Sequence, residues 1–356
     1  MPAPHVPVFD GHNDALLRLM RSSHPRPEEA FLAGEPLCHL DLPRARAGGF
    51  AGGLFAIYVP DPDLGGAEVD AMMARPRYDI PLPPMLEPGY ARDAALSMMA
   101  ILLRLERASA GALTICRSRA DIEAAMTSGS LAAVAHIEGA EAIDPDLRTL
   151  EVFHAAGLRS LGPVWSRPTI FGNGVPFRYP SGPDIGEGLT ERGRALVKAC
   201  NRLRIMVDLS HLNERGFWDV ARLSDAPLVA THSNAHAVCH HARNLTDEQL
   251  GAIAESRGMV GVNFATSFIR PDGRRDPATP LSMLIDHIDH LVAEVGIDGV
   301  GLGSDFDGAT VPDAIGDAGG LQRLVQALAA RGYAGEALEK LCWRNWVRVL
   351  GETWGR

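Results

Sequence analysis

The chain has 356 residues, of which 46% are hydrophobic and 22% charged, with five cysteines and a formal net charge of −10. This composition is typical of a globular protein whose length buries a large core without disulfides, and the negative charge argues against nucleic acid or an anionic membrane as a partner. Because the cysteines form no C-x-x-C pair, and neither a signal peptide nor an apolar run of about 18 residues is visible, we expect a cytoplasmic protein with free thiols.

The first predicted strand, residues 6–10, leads into a histidine and a carboxylate two positions apart, His12 and Asp14. In an extended strand, residues i and i+2 point to the same face. The two side chains can therefore reach one point at the end of the strand, as a nitrogen and an oxygen ligand for a metal. Taken alone, the stretch fits an exposed turn after a strand equally well, so the other strands must decide.

The middle of the chain alternates predicted elements with two long excursions. Residues 21–47 are expected to form loop with irregular helix, and residues 49–59 the second strand. Residues 60–88 contain seven prolines and are predicted to pass over the surface, and residues 166–188, with five glycines and four prolines, form a second loop excursion; both are expected near the active-site face. Between the excursions, apolar spacing predicts helices at 89–108, 119–127 (after Ser118 as N-cap) and 146–156, and strands at 131–138 and 158–165.

The same alternation continues after the second excursion. The apolar runs that are typical of strands begin at Ile205, Pro227, Met259 and Gly299. Thr190 and Thr246 are predicted to begin helices, the latter through a capping box with Gln249. The predicted helices cover residues 191–203, 214–223, 247–257, 281–295, 319–330 and 335–350.

Eight predicted strands thus alternate with helices along the chain. Near-continuous apolar strands separated by helices indicate a parallel sheet that is covered on both faces. The pattern predicts a single (β/α)8 TIM barrel over residues 1–356, with loop insertions, in which the C-terminal ends of all strands open onto one face. A doubly wound open sheet is the alternative, but no G-x-G-x-x-G follows the first strand.

Six side chains that can bind metal or transfer protons lie at or just after the predicted strand ends: His12, Asp14, Glu138, His211, His232 and Asp305. In a barrel they would share the face that carries active sites. Three imidazoles and three carboxylates suffice for two divalent metals, and nitrogen and oxygen donors without thiolate favour Zn²⁺, with Mn²⁺ or Co²⁺ as alternatives by geometry. Each residue alone could be structural: Asp305 and Asp307 could cap turns, and Asp208 and His136 are interpreted as supporting groups.

These motifs together resemble the renal (membrane) dipeptidase family, peptidase family M19, whose members are binuclear zinc peptidases of the amidohydrolase superfamily. The matching segments are Phe-Asp-Gly-His-Asn-Asp at 9–14, Ile-Glu-Gly at 137–139, Gly-Leu-Arg at 157–159, Asp-Leu-Ser-His at 208–211, Thr-His-Ser-Asn at 231–234 with Arg-Asn at 243–244, and Gly-Ser-Asp-Phe-Asp-Gly at 303–308. The resemblance spans residue 8 to about 350. The motifs are specific as a set, although any single one would be weak.

The resemblance implies a metal-dependent dipeptidase with two Zn²⁺ ions per chain, which hydrolyses its substrate with a hydroxide that bridges the metals. It implies that His12 and Asp14 bind one metal, that His211 and His232 bind the other, and that Glu138 bridges them. It also implies a homodimer by family analogy. Dipeptides are the implied substrates, and the sequence leaves open which side chains they carry and whether a D-residue is accepted at the C-terminal position.

Two further residues receive roles from the resemblance. Asp305 would shuttle the proton, and Arg243 would bind the C-terminal carboxylate of the substrate, for which a planar guanidinium is suited. The chain departs from the family at Trp165, where better-known members carry a histidine thought to stabilise the tetrahedral intermediate. Because an indole can only donate, either Trp165 assists the oxyanion, or Arg167 or Asn173 in the following loop does, or that assistance is missing.

Two other functions are kept as alternatives. The first is another binuclear amidohydrolase or lactonase on the same barrel, although those proteins commonly begin with His-x-His, whereas this chain has His12-x-Asp14. The second is a metal-containing barrel that binds small molecules without turnover, an idea that Trp165 raises. Hydrolysis of lactones but not dipeptides would favour the first, and bound metal without any hydrolysis would favour the second.

Overall fold

The computed structural model describes residues 5–62 and 66–355, which form a nearly closed barrel of eight parallel strands. The strands are β1 Val8–Asn13, β2 Phe50–Tyr58, β3 Leu131–Glu138, β4 Leu158–Gly162, β5 Met206–Val207, β6 Val229–Ser233, β7 Met259–Asn263 and β8 Val300–Gly303. Ladders join neighbours in chain order from β1 to β5 and from β6 to β8, and β8 pairs with β1. Between β5 and β6, Leu209 N donates to Val229 O at 2.9 Å. The predicted (β/α)8 barrel is confirmed, and the doubly wound alternative is wrong.

Helices connect the strands and pack around the barrel. The α-helices are Ala15–Met20, Pro27–Ala33, Leu42–Gly48, Gly66–Met73, Pro88–Ala108, Arg119–Ser128, Arg148–Ala156, Glu191–Leu203, Glu214–Leu223, Asp247–Glu255, Thr266–Ile269, Leu281–Val295, Leu321–Arg331, Glu336–Glu339 and Asn345–Trp354. A π-helical stretch, Lys340–Arg344, joins the last two. The predicted N-caps are confirmed, because Ser118, Thr190 and Thr246 each accept a hydrogen bond from a backbone N–H of the first helical turn.

The predicted boundaries are wrong at three strands, of which the fourth ends at Gly162 rather than at residue 165. The first strand extends to Asn13 rather than ending at residue 10, because its polar side chains are buried and bonded; Asp10 Oδ1, for example, accepts from Ser304 N at 2.6 Å. The fifth strand covers only two residues of the apolar run that reaches His211, because the chain turns there, with a φ of +67° at His211. Buried polar residues therefore hide the true end of β1 in the sequence, and an apolar run makes the predicted β5 too long.

Several short elements are not predicted from the sequence, because elements of so few residues show no clear hydrophobic periodicity. They are the strands Tyr78–Asp79, Leu113–Ile115 and Arg178–Tyr179 and the helices Ala15–Met20 and Thr266–Ile269. Two of these strands pair with each other antiparallel and so join the two excursions, and Ile80 N donates to Phe177 O at 3.0 Å beside them. The first excursion also contains the helix Gly66–Met73, and its residues 63–65 lie outside the described part of the chain.

The C-terminal helix supplies a large aromatic side chain to the barrel. Trp346 is fully buried, and its Nε1 donates to Leu302 O in β8 at 2.9 Å. A Cβ atom at Gly11, Gly261 or Gly301 would overlap its indole ring. Glycines in β1, β7 and β8 therefore leave the space that this ring fills.

All five cysteines are free and buried, as the sequence predicts. Among the described residues, no helix has both the length and the apolar character needed to cross a membrane.

Candidate metal centre

Three imidazoles converge on one carboxylate at the C-terminal ends of the strands. Oε1 of Glu138, the last residue of β3, lies 3.0 Å from His211 Nε2, 3.2 Å from His232 Nε2 and 3.7 Å from His12 Nε2. Asp14 Oδ2 lies 3.4 Å from His12 Nε2. All five side chains belong to residues that are at most 5% exposed. The structure thus brings the five predicted metal ligands together in one buried cluster.

Hydroxyl groups fix which nitrogen of two histidines faces the cluster. Thr231 Oγ1 donates to Asp208 Oδ2 at 2.7 Å, so it accepts from His232 Nδ1 at 2.8 Å. The Nε2 atom of His232 therefore carries the free lone pair that a metal requires. Ser166 Oγ is 2.8 Å from His211 Nδ1 and leaves the Nε2 atom of that ring facing Glu138 in the same way.

Near pH 7 the cluster combines two neutral imidazoles with an excess of buried carboxylates that keeps the third imidazole, His12, protonated. Burial lowers the pKa of His211 and His232 well below the usual range, so both rings are neutral near pH 7. Burial raises the pKa of Glu138 well above its usual range, and Asp14 adds to this, while His12 opposes it. At His12, burial alone would lower the pKa, but Glu138 and Asp14 outweigh it and raise the pKa to about 10.

This arrangement fits divalent cations better than it fits hydrogen bonds. His211 Nε2 and His232 Nε2 are 3.0 Å apart, and because His232 Nδ1 donates to Thr231, the lone pair of His232 Nε2 faces His211 and Glu138. Within the described residues, His12 Nε2 and Asp14 Oδ1 are buried without a hydrogen-bond partner. The donor atoms of His12, Glu138 and His232 all lie within 4.8 Å of one another, and so do those of His12, Asp14 and Asp305. Cations here would neutralise carboxylates that burial otherwise destabilises.

Asp305 lies in the turn after β8, beside these ligands. Its backbone has a φ of +60°, and its N–H donates to His12 O at 3.0 Å. Its Oδ2 atom accepts from Asn263 Nδ2 at 2.9 Å. Burial raises the pKa of Asp305, His12 opposes this, and Asp14 adds to it. The carboxylate therefore stands next to the proposed ligands, in a position from which it can exchange a proton with a water molecule among them.

Arg243 is buried beside Phe268, which lines the cavity, and is not itself a lining residue. Its guanidinium donates through NH2 to His232 O at 3.1 Å and through NH1 to Ser233 Oγ at 3.4 Å, and it stacks on Phe268 with 5.5 Å from Cζ to the ring centre. Burial lowers its pKa to about 10, and Asp305 and Glu138 oppose this, so it stays charged near pH 7. Its buried Nε has no hydrogen-bond partner in the described chain.

The residues considered for the oxyanion occupy different places. Trp165 lines the cavity, with its ring 5.8 Å from His211 and 5.0 Å from Tyr58 between ring centres. Arg167 is fully buried behind Trp165, with Cζ 5.2 Å from the indole centre, and donates to Glu141 Oε1 at 3.0 Å. Asn173 Nδ2 donates to the carbonyl of Glu187 at 3.2 Å, and Asn173 does not line the cavity. The structure thus brings only Trp165 of these three to the cavity wall.

The cavity above the cluster has a volume of about 330 Å³. Its aromatic side consists of Tyr58, Trp165, Phe177 and Phe268, and the described residues of the first excursion contribute Val69 and Met73. Asp14, Glu138, His211 and Asp305 form part of its floor. A cavity of this size and lining is suited to a small substrate with one apolar side.

The supporting groups are mostly where the sequence interpretation expects them. Asp208 accepts from Thr231 N and Oγ1, and His136 is buried in the barrel with Nδ1 2.8 Å from Ser160 Oγ. Asp307 accepts from the backbone N–H groups of His39 and Leu40 at 2.7 and 3.1 Å. It therefore ties the turn after β8 to the loop before helix Leu42–Gly48.

Sequence reasoning assigns no role to four residues that matter here: Ser166, Thr231, Asn263 and Gly308. Single hydroxyl and amide groups form no pattern until the positions of neighbouring strands are known. Gly308 had a signal, because it ends the motif Gly-Ser-Asp-Phe-Asp-Gly, and a Cβ atom there would overlap Asp14 Oδ2.

A (β/α)8 barrel with buried imidazoles and carboxylates at the C-terminal ends of its strands defines the chain as a metal-dependent hydrolase of the amidohydrolase type. Residues 3–354 match the model of the family described as membrane dipeptidase (peptidase family M19). The chain belongs to this family. It is a metallopeptidase that acts on dipeptides.

Solved structures of similar proteins agree with this family. A metallopeptidase from Rhodobacter sphaeroides, liganded with a phosphinate mimic of the dipeptide L-Ala-D-Ala, is 56% identical, with a TM-score of 0.97 over 99% of this chain and 100% of that one. The dipeptidase AC, a metallopeptidase of family M19, is also 56% identical, with a TM-score of 0.96 and the same coverage. A protein from the pqqA 5′ region of Klebsiella pneumoniae is 52% identical over 75% of this chain and 98% of its own length.

Proposed function

We propose that the chain hydrolyses dipeptides at a centre of two divalent cations, in which His12 and Asp14 bind one cation, His211 and His232 bind the other, and Glu138 bridges them. One observation carries this assignment: three imidazole Nε2 atoms lie 3.0 to 3.7 Å from a single buried carboxylate oxygen of Glu138. The donor set of nitrogen and oxygen favours Zn²⁺, with Mn²⁺ or Co²⁺ as alternatives. When bound, such a pair of cations lowers the pKa of a shared water and polarises the peptide carbonyl.

The side chains of the protein supply the remaining steps. Asp305 takes the proton from the attacking water and returns it to the nitrogen of the leaving amine, as general acid–base catalysis requires. Arg243, which stacks on Phe268 of the cavity wall and stays charged near pH 7, binds the C-terminal carboxylate of the substrate. Because this anchor requires a free carboxylate one residue beyond the scissile bond, it restricts the enzyme to dipeptides and similar small amides.

The cavity wall supports a role for Trp165 on the substrate side. Trp165 stands at the position where better-known members of the family carry histidine, and we assign its indole N–H to the oxyanion or to the substrate backbone. Asn173 is left out of this assignment because its amide is bound to Glu187. Because the Rhodobacter sphaeroides relative binds a mimic of L-Ala-D-Ala, we also propose that this chain accepts a D-residue at the C-terminal position.

The decisive experiment combines metal analysis with a panel of L,L- and L,D-dipeptides. We expect about two metal ions per chain and hydrolysis of the dipeptides. The variant Glu138→Gln should lose both metal and rate, because the bridging ligand loses its charge. Full metal occupancy with unchanged activity in that variant would contradict the assignment. Turnover of lactones alone, or bound metal without turnover of any substrate, would favour the two alternative functions.

Three further proposals concern the whole chain. We propose that residues 1–356 form one barrel domain, that the protein is cytoplasmic, which its five free cysteines support, and that it is a homodimer, by family analogy. Size-exclusion chromatography with light scattering tests the last proposal, and a monomer at micromolar concentration would contradict it.

A further inference from the structure

We propose that Asn263 is a positioning residue, which orients the carboxylate of Asp305 for proton transfer. Asn263 is the last residue of β7 and is fully buried. Its Nδ2 atom donates to Asp305 Oδ2 at 2.9 Å. This inference rests on the proposed function, because it requires Asp305 to be the group that transfers the proton.

The amide of Asn263 can only point in one direction. Its Oδ1 atom accepts from the backbone N–H of Ala265 at 2.6 Å, so the oxygen is turned away from Asp305. The two protons of Nδ2 then face Asp305 Oδ2 and, at 3.4 Å, His232 O. One donor reaches the proposed catalytic carboxylate, and the other reaches the backbone of a proposed metal ligand.

Asn263 is itself held in place by a second asparagine. Asn234 Oδ1 accepts from Asn263 N at 3.1 Å, and Asn234 Nδ2 donates to Asn263 O at 3.0 Å. Asn234 is fully buried and lies directly after β6. Where β6 ends, the Asn234 side chain makes the hydrogen bonds to β7 that the backbone of a neighbouring strand would otherwise make. It thereby fixes the backbone from which the Asn263 amide extends.

The hydrogen bond from Asn263 gives the two carboxylate oxygens of Asp305 different roles. Oδ2 is occupied by Asn263, whereas Oδ1 faces Gly308, a cavity-lining residue with no side chain. Oδ1 is therefore the oxygen that can reach a water molecule or the leaving amine. Without the donor from Asn263, the carboxylate could rotate about its last torsion, which is broad for aspartate, and the reactive oxygen would be correctly placed for a smaller fraction of the time.

A double-mutant cycle between Asn263 and Asp305 tests this role. Asn263→Ala should lower kcat about 10- to 100-fold with little change in KM, because a hydrogen bond to a charged group is lost. In the Asp305→Ala background, the same change should lower kcat by less than about 2-fold, because there is no carboxylate left to orient. Metal content, measured separately, should stay close to that of the wild type in both single variants.

Asn263→Asp gives an independent test and covers the case in which Asn263→Ala does not fold. Aspartate has the same shape and keeps the acceptor for Ala265 N, but it replaces the donor with a second carboxylate facing Asp305. A purely structural role would leave kcat nearly unchanged, whereas a positioning role predicts a loss at least as large as that of Asn263→Ala.

Asn345→Ala serves as the matched control. Its buried amide donates to Ile297 O and Val300 O at 2.7 and 2.8 Å, at the start of β8. It should lower thermal stability without changing kcat. If Asn263→Asp kept full kcat, or if the losses at residues 263 and 305 were independent, our inference would be wrong while the role of Asp305 stood. If Asp305→Ala itself kept full activity, both the inference and that part of the proposed function would be wrong.

Discussion

At the scale of single residues, the proposed metal centre depends on hydroxyl groups to which the sequence motifs assign no role. Thr231 connects the carboxylate of Asp208 to Nδ1 of His232 through two hydrogen bonds of 2.7 and 2.8 Å. A histidine whose other nitrogen is held in this way presents a defined tautomer and a fixed ring orientation to a metal. The proposed ligand His232 and its supporting hydroxyl on Thr231 are neighbours in sequence, but the carboxylate of Asp208 follows a different strand.

Thr231→Val should therefore weaken metal binding. Valine has nearly the same shape but no hydroxyl, so Asp208 Oδ2 and His232 Nδ1 both lose their partner. We expect the affinity for the metal bound by His232 to fall about 10- to 100-fold, the usual effect of removing such a supporting group. Titration with Zn²⁺ against a competing chelator measures it. Thr231→Ser keeps the hydroxyl and should bind metal almost normally, and equal losses in the two variants would show that the hydroxyl has no such role.

The two acids after β8 should respond differently to loss of charge. Asp305→Asn should keep the metals but lower kcat about 10²- to 10⁴-fold, the usual size of a general acid–base contribution. Asp307→Asn should affect stability more than activity, because Asp307 binds the backbone N–H groups of His39 and Leu40. Steady-state kinetics together with thermal unfolding distinguish the two effects. The opposite ranking in kcat would mean that the wrong carboxylate has been assigned.

The role of Arg243 can be tested by a double-mutant cycle in which the C-terminal carboxylate of the substrate is the second partner. Arg243→Ala should lower kcat/KM for free dipeptides about 10- to 100-fold, because a charged hydrogen-bonded pair is lost from a buried site. Dipeptides amidated at the C-terminus should be poor substrates of the wild type and lose little more in the variant. Metal content must be measured as well, because Arg243 also donates to His232 O. Equal losses for acid and amide would exclude recognition of the carboxylate.

At the scale of elements, the end of β1 and the turn after β8 are held together by buried hydrogen bonds. Ser304 N and Oγ donate to the carboxylate of Asp10 at 2.6 and 2.9 Å. Asp14 N donates to Phe306 O at 2.7 Å, and Asp305 N donates to His12 O at 3.0 Å. These contacts bring the ligands of the first proposed cation and the proposed catalytic acid into one rigid unit.

Gly308 is where this unit leaves no room for a side chain. A Cβ atom there would overlap Asp14 Oδ2 and would lie 2.5 Å from Asp305 Oδ1. Gly308→Ala should therefore displace the Asp14 carboxylate and lower both kcat and the occupancy of one cation, with little change in the fold. Gly251→Ala is the matched control, because nothing lies within 4 Å of its Cβ position and it lies inside helix Asp247–Glu255. That change should be neutral or slightly stabilising; unaltered metal content in Gly308→Ala would argue against Asp14 as a ligand.

The elements also show what sequence can and cannot predict. Parallel strands that are buried on both faces appear in the sequence as apolar runs, so the proposed ligands at the ends of β3 and β6, Glu138 and His232, can be placed from the sequence alone. The end of β1 cannot, because buried Asp10 has its partner, Ser304, almost 300 residues later in the chain (a separation of 294). Asn263 carries no signal for the same reason, since its role depends on Asp305 in a neighbouring strand connection.

At the scale of the whole molecule, the ends of the chain meet in the barrel. β1 pairs with β8, and Trp346 from the last helix packs against glycines in both strands. The two excursions meet on the active-site side through the pairing of Tyr78 with Tyr179. The barrel is therefore completed only when distant segments have folded together, which is typical of a fold dominated by non-local contacts.

Trp346 tests this view of the molecule as one cooperative unit. Trp346→Ala should lower the free energy of unfolding by about 3–5 kcal/mol, since it removes the largest fully buried side chain and leaves a cavity beside three glycines that cannot fill it. Trp346→Phe should cost less, because it keeps most of the volume and loses mainly the hydrogen bond to Leu302 O. Trp354, in the same helix but only partly buried, provides the control, and Trp354→Ala should also cost less.

Denaturant unfolding followed by circular dichroism gives all three values. If Trp346→Ala unfolded the last helix in a separate transition and left the barrel intact, the helix would be an attachment and not part of the core, because a cooperative unit loses its structure in one step.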